Sequence, residues 1–202
     1  MCGVLNGCLA ALRQTGLLLK SDPVLPSVTT LVAGEAIRGS WWGHPAGSLI
    51  FQTLQQLAEH REVLFVKLVA GKDTLVHRSL WPEVYAIGSA GEAWQRAGLS
   101  AAARALEKQV AKAGVVQASG AVAKELELRL LVRCEQFHTD AGHHSKGLEA
   151  WPRWADRVGL DARRVTPSEA KAAFEAILPA AKFPWQVDRR AATAPSRSRL
   201  GT

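Results

Sequence analysis

The chain has 202 residues, a formal net charge of +7, and 48% hydrophobic against 21% charged residues. That balance belongs to a folded globular protein of one large or two small domains, and it excludes a disordered or fibrous polymer. Cys2, Cys8 and Cys134 are too few for a disulfide scaffold, and no run approaches the ~18 apolar residues of a membrane span.

The N-terminus has no basic residue ahead of its short apolar stretch, which makes a poor secretory signal. A reducing, cytoplasmic setting is therefore expected. The basic excess favours a polyanionic partner, but it is unevenly spread. From Lys182 onward, Lys182, Arg189, Arg190, Arg197 and Arg199 face only Asp188, so the tail holds +4 and the body +3.

In chain order, Leu5, Leu9, Leu12, Leu17 and Leu19 keep near-helical spacing, broken at Gly16. Asp22-Pro23 and Leu25-Pro26 mark a turn, and a short helix is expected from Ser27 to Val32. The next helix starts near Pro45, with Ile50, Leu54 and Leu57 as its apolar stripe and Gln52, Gln55, Gln56 and Glu59 facing away. Leu64 to Val69 and Thr74 to Leu80 read as strands joined at Ala70-Gly71-Lys72-Asp73.

Trp81-Pro82-Glu83 opens a helix that the spacing carries to Gly98, with Glu92 and Arg96 as an i,i+4 pair. Ser100 caps a helix over residues 101–113, closed by Gly114. A short strand over 115–118, a helix over 121–131 with Glu125 and Arg129 paired, and an extended run over 131–137 follow. After the Thr139-Asp140-Ala141-Gly142 turn, a helix over 148–157 places Trp151 and Trp154 on one face. Thr166-Pro167-Ser168-Glu169 is a capping box for a helix ending at Leu178-Pro179.

Helices followed by a hairpin make a winged-helix module, an architecture often used to dock nucleic acid. The expected fold is mainly α with short β-hairpins (α+β), as two winged-helix-like lobes packed into one compact body. Residues 1–98 form the first lobe, 99–181 the second, and 182–202 a basic disordered tail.

Three segments together carry a resemblance. They are Gly39-Ser40-Trp41-Trp42-Gly43-His44-Pro45; Lys67-Leu68-Val69-Ala70-Gly71-Lys72 with Val76-His77-Arg78-Ser79-Leu80-Trp81-Pro82; and Phe137 to His144 with Leu148-Glu149-Ala150-Trp151. On these the chain resembles a group of short uncharacterised bacterial proteins sharing Gly-Ser-Trp-Trp-x-His-Pro. At the level of fold it is also similar to the winged-helix lobes of bacterial alkylpurine DNA glycosylases. The second likeness implies architecture rather than activity.

Several constellations carry chemistry. Lys67, Lys72 and Arg78 would make a basic wing for phosphate contacts. Arg96, Arg104, Lys108, Lys112, Lys124, Arg129 and Arg133 outnumber Glu107, Glu125 and Glu127 over residues 96–133, and Arg104, Lys108 and Lys112 share one helical row. Trp41 and Trp42 either stack an aromatic base or plug the core. His44 is a candidate acid–base group, and His138 with Asp140 another. Cys134, His138, Asp140, His143 and His144 lie within eleven residues but lack the paired short spacings of zinc modules, so no metal or cofactor is expected.

The leading expectation is a protein binding nucleic acid, duplex DNA above all, through Lys67, Lys72, Arg78, Arg104, Lys108, Lys112 and Arg129. The alternative is an enzyme acting on a nucleobase or small aromatic substrate, its pocket lined by Trp41, Trp42 and His44 and served by His138 or Asp140.

Overall fold

The computed structural model describes residues 2–138, 144–161 and 165–186. Its first half runs α1 (Cys2–Thr15), β1 (Leu17–Leu19), α2 (Val28–Ala33), a 3₁₀ turn Trp41–Gly43, α3 (Gly47–Ala58), β2 (Val63–Val69) and β3 (Lys72–His77). The antiparallel sheet has order β1-β3-β2, with Leu17 opposite Val76 and Leu64 opposite Val76 from the other side. The half is thus a mixed α+β unit of three α-helices and one three-stranded antiparallel sheet. Leu17–Leu19, whose spacing suggested more helix, form a strand instead. Gly16 turns the chain at φ +76, and all three leucines are buried.

The β2–β3 turn is Ala70-Gly71, at φ +49 and +69. Two consecutive positive φ angles give the type I′ geometry that matches strand twist.

The second half begins with α4 (Trp81–Ser89) and α5 (Ala93–Arg96), which are two helices rather than the single one expected. Glu92 caps α5 through a capping box with Gln95. Then come α6 (Ala101–Ala113), β4 (Val115–Ala118), α7 (Gly120–Leu128), β5 (Arg133–His138), β6 (His144–Glu149), α8 (Trp151–Val158) and α9 (Pro167–Ile177). The second sheet is antiparallel with order β4-β6-β5, so the lobe repeats helix, strand, helix and hairpin. Strand β6 is not expected from the sequence pattern, which assigns no element to residues 144–147 and puts Leu148 and Glu149 in the next helix. The Thr166 capping box does form, with the hydroxyl accepting from Glu169 N–H at 3.3 Å and the carboxylate accepting from Thr166 N–H at 2.9 Å.

Three apolar clusters hold the molecule. One packs α1, α2 and α3 on one face of the first sheet. The largest lies on the other face, where Leu17, Leu19, Leu64, Val66 and Val76 meet Trp81, Trp151, Trp154, Phe174, Phe183 and Trp185. The third fills the second lobe around Ala103, Val110, Leu126 and Leu148. Three of the buried indoles find acceptors for their N–H groups. Trp151 donates to Leu130 O at 2.7 Å, Trp81 to Val76 O at 3.3 Å, and Trp185 to Glu175 Oε1 at 2.7 Å.

The folded body extends beyond the expected tail boundary at 182. Ala70 N–H donates to Lys182 O at 2.7 Å, and Phe183 and Trp185 are only 2% and 3% exposed. The rest of the expected tail, residues 187–202, lies outside the described residues. Among the described residues, no helix is long and apolar enough to cross a membrane.

Candidate nucleic-acid interface

The hairpin β2–β3 does not stand free as a wing. A methyl group on Gly71 would approach Leu128 Cδ2 to 2.9 Å, so the turn lies against the end of α7. The neighbouring Ala70 N–H is taken up by Lys182 O.

Its cations are also spoken for. Lys67 Nζ is 2.5 Å from Asp73 Oδ1, across the hairpin, and Lys72 Nζ is 2.7 Å from Asp22 Oδ2. Arg78 follows β3 at the end remote from the turn, about 20 Å from Lys72 at the usual strand rise. Its guanidinium lies 5.8 Å over the Trp81 ring. Arg78 lines an open cleft of about 290 Å³ with Ser79, Trp81, Pro82 and residues 158–161. The expectation of a basic wing is therefore corrected: Lys67 and Lys72 neutralise acids, and Arg78 sits elsewhere.

Arg129 is likewise occupied. Its Nη1 donates to Trp94 O at 2.9 Å, while Gln95 Nε2 donates to Arg129 O at 3.2 Å. Gln95 is fully buried, and this exchange ties α5 to the end of α7. The two expected i,i+4 pairs do not form as hydrogen-bonded ion pairs. Glu92 pairs with Lys171, Arg96 with Glu107 at 3.2 Å, and Glu125 accepts from Ser100 N–H and Oγ at 2.8 Å each. Capping duties at the starts of α5 and α6 draw both glutamates away from their helical partners.

Helix α6 is different. Ser100 caps it by accepting from Ala103 N–H at 3.1 Å, and only Ala103 and Val110 are buried along it. Ala103 and Val110, with the half-buried Leu106, seat the helix on the core of this half and leave the opposite face open. Arg104, Lys108 and Lys112 all project from that face and are exposed. Among the described residues, none of the three belongs to an ion pair. Successive members are about 6 Å apart along the helix axis. Arg96, Arg104, Glu107, Lys108 and Ala111 line a cleft of about 350 Å³ beside the row. Glu107, its one acid, is engaged by Arg96.

The paired tryptophans divide their roles. Trp41 is 8% exposed and belongs to the core, while Trp42 is 66% exposed. The rings stack at 4.2 Å with 22° between planes, and Phe51 lies 5.5 Å from Trp42. His44 Nδ1 accepts from Ala46 N–H at 3.1 Å, which leaves Nε2–H to donate to Glu35 Oε1 at 3.1 Å. The histidine thus fastens the start of α3. Neither cleft includes Trp41, Trp42 or His44.

Of the remaining candidates, Asp140 and His143 lie outside the described residues, as do the side chains of His138 and His144. Cys134 sits beside Glu127 and Lys146, which pair at 2.6 Å. Burial, then the negative charge of Glu127, pushes its thiol up to about 12, so it is a protonated, unreactive group. Among the described residues, no cluster of three His, Cys, Asp or Glu side chains is placed to hold a metal.

The sequence pattern missed the division between Trp41 and Trp42, for which identical neighbours give no signal. It also missed the Lys67–Asp73 pair, for which a signal existed. The two residues stand one step along the hairpin from the Val66–Thr74 pairing.

No family model, curated protein or solved structure matches the chain.

Proposed function

We propose that this protein binds nucleic acid through the exposed face of α6, with Arg104, Lys108 and Lys112 contacting successive backbone phosphates. The observation that carries this is the unpaired cationic row on a helix whose remaining exposed residues are chiefly alanine and glutamine. Among the described residues none of the three forms a salt bridge, although the charge of Arg104, after the Ser100 hydrogen bonds, helps to hold the Glu125 carboxyl below its usual range. Phosphate neutralisation releases counterions, and that release supplies most of the affinity of non-specific binding. Lys124 is also exposed, on α7, and adds charge to the same lobe. The free thiols of Cys8 and Cys134 support a reducing, cytoplasmic setting.

The test is the salt dependence of binding by the full chain to a short duplex, followed by fluorescence anisotropy. Three contacts account for a slope in log K against log[salt] of about −2.7 for duplex DNA. The triple variant Arg104→Ala/Lys108→Ala/Lys112→Ala should lose that share of the slope whatever the sequence of the duplex. An unchanged slope would show that α6 is not the interface.

A further inference from the structure

The exposed indole of Trp42 has no role in the phosphate contacts just described. A side chain of this size, two-thirds open to water, is the largest exposed aromatic surface among the described residues. It is also held still. Trp41, sunk in the core, stacks beneath it at 4.2 Å, and Phe51 flanks it at 5.5 Å. Ser40 caps the 3₁₀ turn that carries both rings.

The backbone below leaves no slack. A methyl group at Gly47 would come within 3.1 Å of both the Trp41 and Trp42 carbonyl oxygens, and His44 pins the same junction through Ala46 N–H and Glu35. The ring is therefore fixed with its outer face open.

We propose that Trp42 is a stacking platform for an unpaired nucleobase, so that the protein favours single-stranded over fully paired nucleic acid. This rests on the reading of the chain as a nucleic-acid binder.

Two observations select a base over an apolar protein partner. First, the apolar neighbours Trp41, Ile37 and Ile50 are buried, while Ser40, Gly43, Ser48 and Gln52 are exposed. The site is one indole in a polar surround, not a broad apolar patch of the kind a protein interface uses. A flat ring with polar edges fits it. Second, residues 38–58 contain Arg38 and His44 but no Asp or Glu. Glu35, just before them, accepts a hydrogen bond from His44 and stays largely exposed, so the one acid brought close by this contact lies outside the segment, while Arg38 within it can meet a phosphate flanking a stacked base. Stacking of this kind tolerates any base, because each has a π face.

The experiment measures anisotropy of the full chain at low salt with three probes: a twelve-nucleotide oligothymidylate, an abasic strand of the same length, and a blunt twelve-base-pair duplex. Trp42→Ala should weaken oligothymidylate binding by about 5- to 150-fold, the range for one stacked base. It should leave the abasic strand, the duplex and the salt slope unchanged, and Trp42→Phe should recover part of the loss.

The α6 triple variant should weaken all three probes through the slope, so the two failures are separable. Equal oligothymidylate affinity for wild type and a Trp42→Ala chain of unchanged circular dichroism would overturn the stacking site alone. An equal loss on the abasic strand would do the same. Absence of wild-type binding to every probe would overturn both proposals.

Discussion

Asp22 shows how one side chain converts a would-be binding lysine into a structural one. It is buried, and its Oδ1 accepts from the N–H groups of Val24 and Leu25 at 2.9 and 2.8 Å while Oδ2 meets Lys72. Burial alone would raise its pKa. The Leu25 and Val24 donors and the Lys72 ammonium outweigh that and hold the carboxyl below the usual carboxylate range. A folded-state value below the unfolded ~3.9 means that the unfolded chain binds more protons in between. The stabilisation is therefore complete above the unfolded value and fades as pH falls through the folded one. Asp22→Asn should cost about 1–2 kcal/mol at neutral pH, measured by urea denaturation, and the gap from wild type should hold from pH 7 to about pH 5 and narrow as pH falls below the unfolded ~3.9. A gap of constant size would mean that shape rather than charge sets the contribution. Trp42 is the opposite case. Among the described residues its outer face is left open, which is why we propose a ligand for it.

Helices α4 and α8 meet at a glycine. A methyl group on Gly88 would lie 2.4 Å from the Trp151 indole, so only glycine lets the helix rest on that ring. Gly88→Ala should lower stability by about 1–3 kcal/mol through overpacking, visible as a reduced Tm. An unchanged Tm would show that the helices do not meet as described. The end of the body makes a comparable claim, because Phe183 and Trp185 stack at 4.9 Å and 7° in the main core. Phe183→Ala should cost about 3–5 kcal/mol by equilibrium unfolding, whereas a residue in a tail would cost nothing. Elements with local signals were legible in the sequence: the Ser100 and Thr166 caps, Pro82 in the first turn of α4, and the Ala70-Gly71 hairpin. Strand β1 was not, because three consecutive leucines show neither period 2 nor period 3.6. Strand β6 was not either, since what makes His144–Glu149 a strand is its place between β4 and β5, which are remote in sequence. Of the candidate interface, the Arg104, Lys108 and Lys112 row follows from spacing alone. The loss of Lys72 and Arg129 to structural partners depends on tertiary contacts that spacing does not encode.

At the scale of the molecule, the first lobe's hairpin is an internal strut. Its strands lie between the core of α1, α2 and α3 and the tryptophan-rich core, and its turn meets α7 and Lys182. A protein built this way cannot reshape its hairpin around a ligand without disturbing the contact between its lobes, so an interface is better placed on a helix with one face clear of the core. Helix α6 meets that need: Ala103, Leu106 and Val110 face the core, and its opposite face carries a cationic row that forms no salt bridge among the described residues. The consequence separates two charge-removing variants that composition alone would treat as alike. Lys67→Ala/Lys72→Ala removes two positive charges from the hairpin, leaves Asp73 with Lys20 alone and strips the buried Asp22 of its ammonium partner. It should lower stability modestly, by about 1 kcal/mol for each partly exposed pair, and leave the salt slope for nucleic acid as in wild type. Arg104→Ala/Lys108→Ala/Lys112→Ala removes three charges that form no salt bridge among the described residues. It should keep the unfolding midpoint within about 0.5 kcal/mol of wild type while reducing the slope by about 2.7. Denaturant titration and salt-dependent anisotropy on the same two proteins decide the matter. If the hairpin variant loses slope and the α6 variant does not, the cationic surface that meets the ligand is the hairpin after all, and the strut must open to bind.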